Sequence, residues 1–414
     1  MSSTPAPRGV SRHVSAAAAV ACFLLAPACD LATVEDLDEV DALETLEDEE
    51  DALDQAVDAA LVSPAPAPLT VQSCDVTYSA PAVFPPIDPV PLLAGQPSDC
   101  AVGSNDSPCA PHHVYSPNPT REREPLFVFL PGTNMEPDKH DQVLMTAAST
   151  GYRSIGLSYD NTVSGGDACA GLEDCALDCR SLMREEVVRG VDLTPTVDVA
   201  RGDAVIVRLY RVLEELDAID PAGGWDAYFV PNKPNPKARH IHWEDIILGG
   251  FSQGASTAAF ISRQEQVHGL FLLDGANGTC EDAVLGEVPA GWMTSGTDAS
   301  AGRPKYGVRH DHGTGDTTNT ASWETIGLGT SLANLDCVAF CDVMDSIPPS
   351  VAAKAGHGFP ASPSICSNHM SMARDECMPT DVSGTTAAIL PEDARLFEVY
   401  ARRLCYACDA ATCP

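Results

Sequence analysis

The chain of 414 residues is short of positive charge: 24 Lys and Arg stand against 59 Asp and Glu, a formal net charge of −35. With no basic patch anywhere, it lacks the electrostatic footprint of a nucleic-acid binder. After Leu25 it has no apolar run long enough to span a membrane. It has no evident internal repeat, and no C-x-x-C pair with a partner pair of the kind that builds zinc sites. What remains is a chain long enough to bury a large core, most of it expected in a single domain.

The start of the chain departs from the rest. Arg8 and Arg12 precede an apolar run from Val14 to Leu25 and then Ala26-Pro27-Ala28-Cys29, which reads as an export signal over residues 1–28. Cleavage before Cys29 would leave a cysteine for lipid attachment and membrane anchoring, although Leu25 lies one position further from it than lipoprotein signals prefer. From Asp30 to Asp58 there are 14 acidic residues and no Lys or Arg, and Ser63-Pro-Ala-Pro-Ala-Pro68 follows. Like charges extend such a segment and prolines stiffen its end, so residues 29–70 read as a tether for a domain at 71–414. Of 16 cysteines, Cys22 and Cys29 belong to the signal, leaving an even 14. That number suits disulfides in an oxidising compartment, with Cys100 and Cys109, Cys337 and Cys341, and Cys366 and Cys377 as close pairs. Cys169, Cys175 and Cys179 allow a metal cluster as a lesser reading.

Beyond Val71, apolar runs alternate with helical patterns. Strands are expected at Pro125–Leu130, Tyr152–Tyr159, Ile246–Phe251, Val267–Leu273 and Lys305–Arg309. Helices are expected at 138–150, Asp198–Leu216, Ser252–Gln264 and Pro391–Leu404. The segment 160–191, rich in Cys, Gly and Asp, has no clear period and reads as a disulfide-tied insertion. Alternation of this kind predicts an α/β domain: a doubly wound, mostly parallel sheet with helices on both faces. In such sheets reactive groups collect beyond the carboxyl ends of the strands.

Ser252 falls at such an end, in Gly250-Phe-Ser-Gln-Gly254. Strand, G-x-S-x-G and helix in that order make a sharp turn that presents the serine hydroxyl, with the helix N-terminus and the Gln253 amide facing a developing oxyanion. Here the chain resembles the α/β-hydrolase superfamily, in particular the elbow of its carboxylesterase and cutinase-like members, over roughly Pro125 to Leu404. The resemblance implies a serine hydrolase that needs no cofactor or metal and acts, as a monomer, on a small or polymeric ester. It implies a second oxyanion amide from Thr133, in Leu130-Pro-Gly-Thr-Asn134, where proline replaces the histidine usual in the family.

A serine hydroxyl needs a histidine to take its proton and a carboxylate to orient that histidine. In the family's order of Ser, acid, His, the turn His312-Gly-Thr-Gly-Asp316 is similar to the usual acid-bearing turn and favours Asp316, with Asp311 and Asp274 as alternatives. The base is expected to be His369, in Cys366-Ser-Asn-His-Met, ahead of His357 in a glycine-flanked loop, with a Cys366 to Cys377 disulfide holding the loop of His369. Three other readings stay open, one of them peptidase or lyase chemistry on the same fold. A hydrolase fold without activity could serve as a surface binding protein, or the cluster His310, Asp311, His312 and Asp316 could bind a divalent cation for a metal-dependent hydrolase.

Overall fold

The computed structural model describes residues 82–84, 87, 109–117, 122, 124–276, 278–308, 316–328, 369, 370 and 373–375. The expected signal, the tether, the closing helix at Pro391–Leu404 and the Cys100, Cys337–Cys341 and Cys366–Cys377 pairings lie outside these residues.

Three apolar runs make the centre of the sheet: β3 (Leu126–Leu130), β5 (Ile246–Phe251) and β6 (Gly269–Leu273), each buried along its whole length. A strand buried on both faces has no polar side to alternate with, which is why these runs are apolar throughout. With β1 (Ala82–Val83), β2 (His113–Ser116), β4 (Arg153–Gly156) and β9 (Lys305–Val308) they form one sheet in the order β1-β2-β4-β3-β5-β6-β9. From β4 to β9 all pairings are parallel, whereas β2 runs antiparallel to β4 and β1 to β2. The register aligns Val128 with Leu248 and Leu248 with Leu270 across the three central strands. Beside them, a Cβ on Gly249 would come within 2.7 Å of the Phe127 ring, so glycine leaves that ring its room.

The period-2 alternation of side chains divides the core into two layers. Phe127, Phe129, Ile247, Phe251, Phe271 and Leu273 pack with Val143, Leu144, Ala147 and Ala148 of helix α1 (Asp141–Ser149). On the other face, Val128, Leu130, Leu248, Leu270 and Leu272 share a cluster with residues of three helices. These are α2 (Cys179–Arg189), α3 (Val205–Ile219) and α4 (Gln253–Gln264). The fold is therefore the expected mostly parallel sheet with helices on both faces. A last helix, α5 (Asp316–Thr325), follows β9.

Two expectations need correction. Helix α3 begins at Val205 rather than Asp198, because residues Arg201–Asp203 form a 3-10 turn whose Asp203 pairs with the buried Arg208. The segment 160–191 is also more than a loop, since it contains all of α2. That helix ends at Gly190, whose φ of 65° and a Cβ position only 2.5 Å from Arg201 Cα leave glycine as the residue that fits. Two disulfides tie the segment: Cys169–Cys179 within it, and Cys175–Cys280 to the hairpin of β7 (Thr279–Asp282) and β8 (Gly286–Pro289). Those bonds occupy Cys169, Cys175 and Cys179, so the three form no metal cluster. Cys109 is disulfide-bonded as well.

Candidate active site

Ser252 stands between β5 and α4 with φ 55° and ψ −116°, a conformation that costs an L-residue of order 1–3 kcal/mol and that the surroundings must enforce. They do so through close packing of glycines. A Cβ on Gly250 would lie 2.4 Å from the Gly254 carbonyl, one on Gly254 would lie 1.9 Å from Leu130 O, and one on Gly275 would lie 2.4 Å from Ser252 O. The Ser252 amide donates to Leu273 O at 3.1 Å, tying the turn to the end of β6.

The loop after β3 lies against this turn. A Cβ on Gly132 would come within 3.2 Å of Ser252 Cβ, so the loop's backbone abuts the serine. Buried Asn161 holds it, donating from Nδ2 to Gly132 O at 2.6 Å and to Met135 O at 2.9 Å, while its backbone carbonyl accepts from the Asn134 amide at 3.0 Å. Tyr159 donates its hydroxyl to Pro131 O at 2.9 Å, and Thr133 donates its hydroxyl to Gln253 Oε1 at 2.6 Å. Thr133 and Gln253, the two residues expected to stabilise an oxyanion, are thus joined to each other by their side chains.

His369 and Asp274 meet directly. The Nδ1 of His369 lies 2.6 Å from Oδ2 of Asp274, and a carboxylate oxygen accepts, so Nδ1 carries the proton and Nε2 keeps its lone pair. Asp274 is buried at the end of β6, in a left-handed conformation with φ 40°. His369 has 36% of its side chain exposed and lies against Phe251, the neighbour of Ser252, with ring centroids 4.5 Å apart. Phe251 also meets His140, with centroids 5.8 Å apart.

Of the three acids weighed in the sequence, the structure brings Asp274 to the histidine. This is one strand earlier in the sheet than the turn that favoured Asp316. Asp316 is the first residue of α5, and its side chain lies outside the described residues, as do Asp311, His310, His312 and His357. Asn161, whose side chain fixes the loop beside the serine, left no signal in the sequence.

The sheet order, helices on both faces and a serine on the turn after β5 make this the α/β-hydrolase fold. No protein-family model matches the chain, and no curated protein matches it. Among solved structures it is similar to esterase 2 of Thermogutta terrifontis, with 13% identity, 53% of this chain and 70% of that chain covered, and a TM-score of 0.27. TT1662 from Thermus thermophilus shares 15% identity over 53% of this chain and 77% of that one, with a TM-score of 0.29. A hyperthermophilic esterase from the archaeon Pyrobaculum calidifontis shares 17% identity over 40% of this chain and 42% of that one, with a TM-score of 0.22. Likenesses this remote carry no argument about activity, which has to rest on the site itself.

Proposed function

We propose that the protein is an exported serine hydrolase that cleaves a carboxylic ester through an acyl-enzyme. The observation that carries this reading is the His369–Asp274 hydrogen bond, on a ring that lies against the neighbour of a strained Ser252. The acid of this reading is Asp274 rather than Asp316. Asp274 fixes the tautomer of His369 and stabilises the imidazolium that forms when the base takes a proton.

In the first half-reaction Ser252 Oγ attacks the ester carbonyl while its proton passes to His369 Nε2. The amides of Thr133 and Gln253 hold the negative charge on the former carbonyl oxygen. Collapse of the tetrahedral intermediate breaks the bond to the alcohol oxygen, which leaves with the proton from Nε2. Water, deprotonated by the same nitrogen, then attacks the acyl-serine, and Ser252 is released together with the acid.

The two disulfides around Cys175 and Cys179 suit an oxidising compartment and support export, with Cys29 as the lipid-bearing residue. Mass measurement of the mature N-terminus tests this part alone. The activity is tested by labelling the full chain with a fluorophosphonate and mapping the modified peptide. Labelling confined to Ser252, abolished in Ser252→Ala along with hydrolysis of short-chain aryl esters, is the expected result. Undiminished labelling of Ser252→Ala would end the reading.

A further inference from the structure

Helix α1 is capped from far along the chain. Its own N-cap residue is His140, whose side chain makes no cap hydrogen bond. Instead, His140 Nδ1 donates to Ala373 O at 2.7 Å. The place of a cap side chain is taken by the Asp375 carboxylate, which accepts from the Gln142 amide at 3.1 and 3.2 Å, and the Asp375 amide in turn donates to Lys139 O at 2.8 Å. A carboxylate at a helix N-terminus satisfies amides with no partner inside the helix and interacts favourably with the dipole. Asp375 and Gln142 are 233 residues apart in the chain, so this cap also fastens a distant segment.

That segment carries His369. Next to His369, Met370 O accepts from the amides of Ala373 at 3.3 Å and Arg374 at 2.9 Å. Ala373 is fully buried in the same layer as Phe129 and Phe251. Met370, next to His369, is thus tied by two hydrogen bonds to residues 373 and 374, which are themselves fastened at the start of α1.

We propose that Asp375 is a positioning residue for His369: by capping α1 it holds the turn that aims the imidazole between Asp274 and Ser252. The proposal rests on the serine hydrolase reading for its kinetic consequence, and on geometry alone for its effect on the histidine. Burial and the charges of Asp141, the first residue of α1, and Asp138, in the 3-10 turn before it, disfavour a charged Asp375, and the amides of Gln142 and Asp141 oppose them. An oxygen acceptor, rather than a charge, is what this position needs. Displacement of a catalytic group by about 1 Å can cost on the order of 100-fold in rate.

The test compares Asp375→Ala and Asp375→Asn in the full chain, using two readouts. The first is the NMR resonance of the Nδ1 proton that His369 shares with Asp274; the second is the rate of fluorophosphonate labelling at Ser252 across pH. In Asp375→Ala the resonance is expected to broaden or vanish, with labelling slowed about 10- to 100-fold and its pH midpoint moved. Asp375→Asn keeps an acceptor for Gln142 and is expected to restore both to within about 3-fold of wild type. An Asp375→Ala protein with native resonance and native labelling rate would overturn the proposal. If that variant does not fold, Asp375→Gly takes its place, and a native resonance with a native labelling rate in that folded protein would overturn the proposal just as well. Should wild type fail to label at Ser252, the hydrolase reading falls, and the resonance still decides whether Asp375 positions His369.

Discussion

His140 and His369 lie against the same phenylalanine ring, that of Phe251, yet they are given opposite surroundings. His140 is wholly buried and its Nδ1 faces a backbone carbonyl; His369 is partly exposed and its Nδ1 faces a carboxylate. Burial pushes the pKa of His140 down to about 4, so it stays neutral in ordinary buffers and works as a packed strut. A carbonyl can orient an imidazole but cannot compensate its charge, whereas a carboxylate does both. Side by side, the two rings show that histidines packed on one phenylalanine are set apart by their partner and their access to solvent.

The sharpest way to break this comparison is to remove each ring. His369→Ala should lower turnover by about 10⁴-fold or more with little change in melting temperature, as loss of a proton-shuttling triad member does. His140→Ala should do the reverse, costing about 3 kcal/mol of stability from the cavity, with a much smaller loss of turnover. Equal loss of activity in both variants would erase the distinction. Exchanging the partner is the next step. Asp274→Asn keeps the shape but not the charge, and should cost on the order of 10⁴-fold in kcat. Asp316→Asn should stay within about 3-fold of wild type, and the opposite ranking would return the acid to the turn after β9.

A smaller effect concerns pH. The folded pKa of His140 lies below its usual 6.5, so its favourable contribution is complete above pH 6.5 and is lost as pH falls towards 4. Asp375 is the opposite case: burial raises its pKa from 3.8 to about 8, so its contribution is complete below 3.8 and is lost as pH rises through 8. Between about pH 4 and 6.5 the two slopes offset each other, and from 6.5 to 8 docking of residues 373–375 should weaken. Hydrogen exchange at the Ala373 and Asp375 amides, corrected for intrinsic rates, reads this directly. In Asp375→Asn the alkaline weakening should disappear, and its persistence would assign it to another group. The smallest effect on activity is expected from Cys175→Ser with Cys280→Ser. That bond spans 105 residues, and its loss should reduce stability by about 2–5 kcal/mol while Ser252 labelling changes less than about 3-fold.

The sequence disclosed the parts of the molecule where local pattern and tertiary role coincide. Strand β5 runs from Ile246 to Phe251 as expected, and β3 and β6 differ from expectation only at their first residues. Helix α2 was hidden because its inward side is only partly apolar. Buried Glu186 accepts from the amides of Leu193, Thr194 and Val199, and buried Arg184 donates to Thr257, so charged residues occupy positions where periodicity looks for leucine. The β1–β2 edge and the β7–β8 hairpin are too short to carry a clear alternation. Asp274 was visible as an acid at a strand end, but nothing local distinguishes an acid that faces a histidine from one that only terminates a strand. That choice is made by a contact across 95 residues, which no window of sequence contains.

The cap that Asp375 places on α1 has a consequence for the life of the chain on the ribosome. A growing polypeptide that has delivered the serine, its turn and most of the parallel sheet has not yet delivered His369, and the start of α1 still waits for its acceptor. Residues 369–375 emerge after all of β5 and β6, so a late segment both finishes an early helix and brings an imidazole to Asp274. Chains that stop short of that point would lack the acceptor at the start of α1, and an exposed Gln142 amide would distinguish them from chains that carry it.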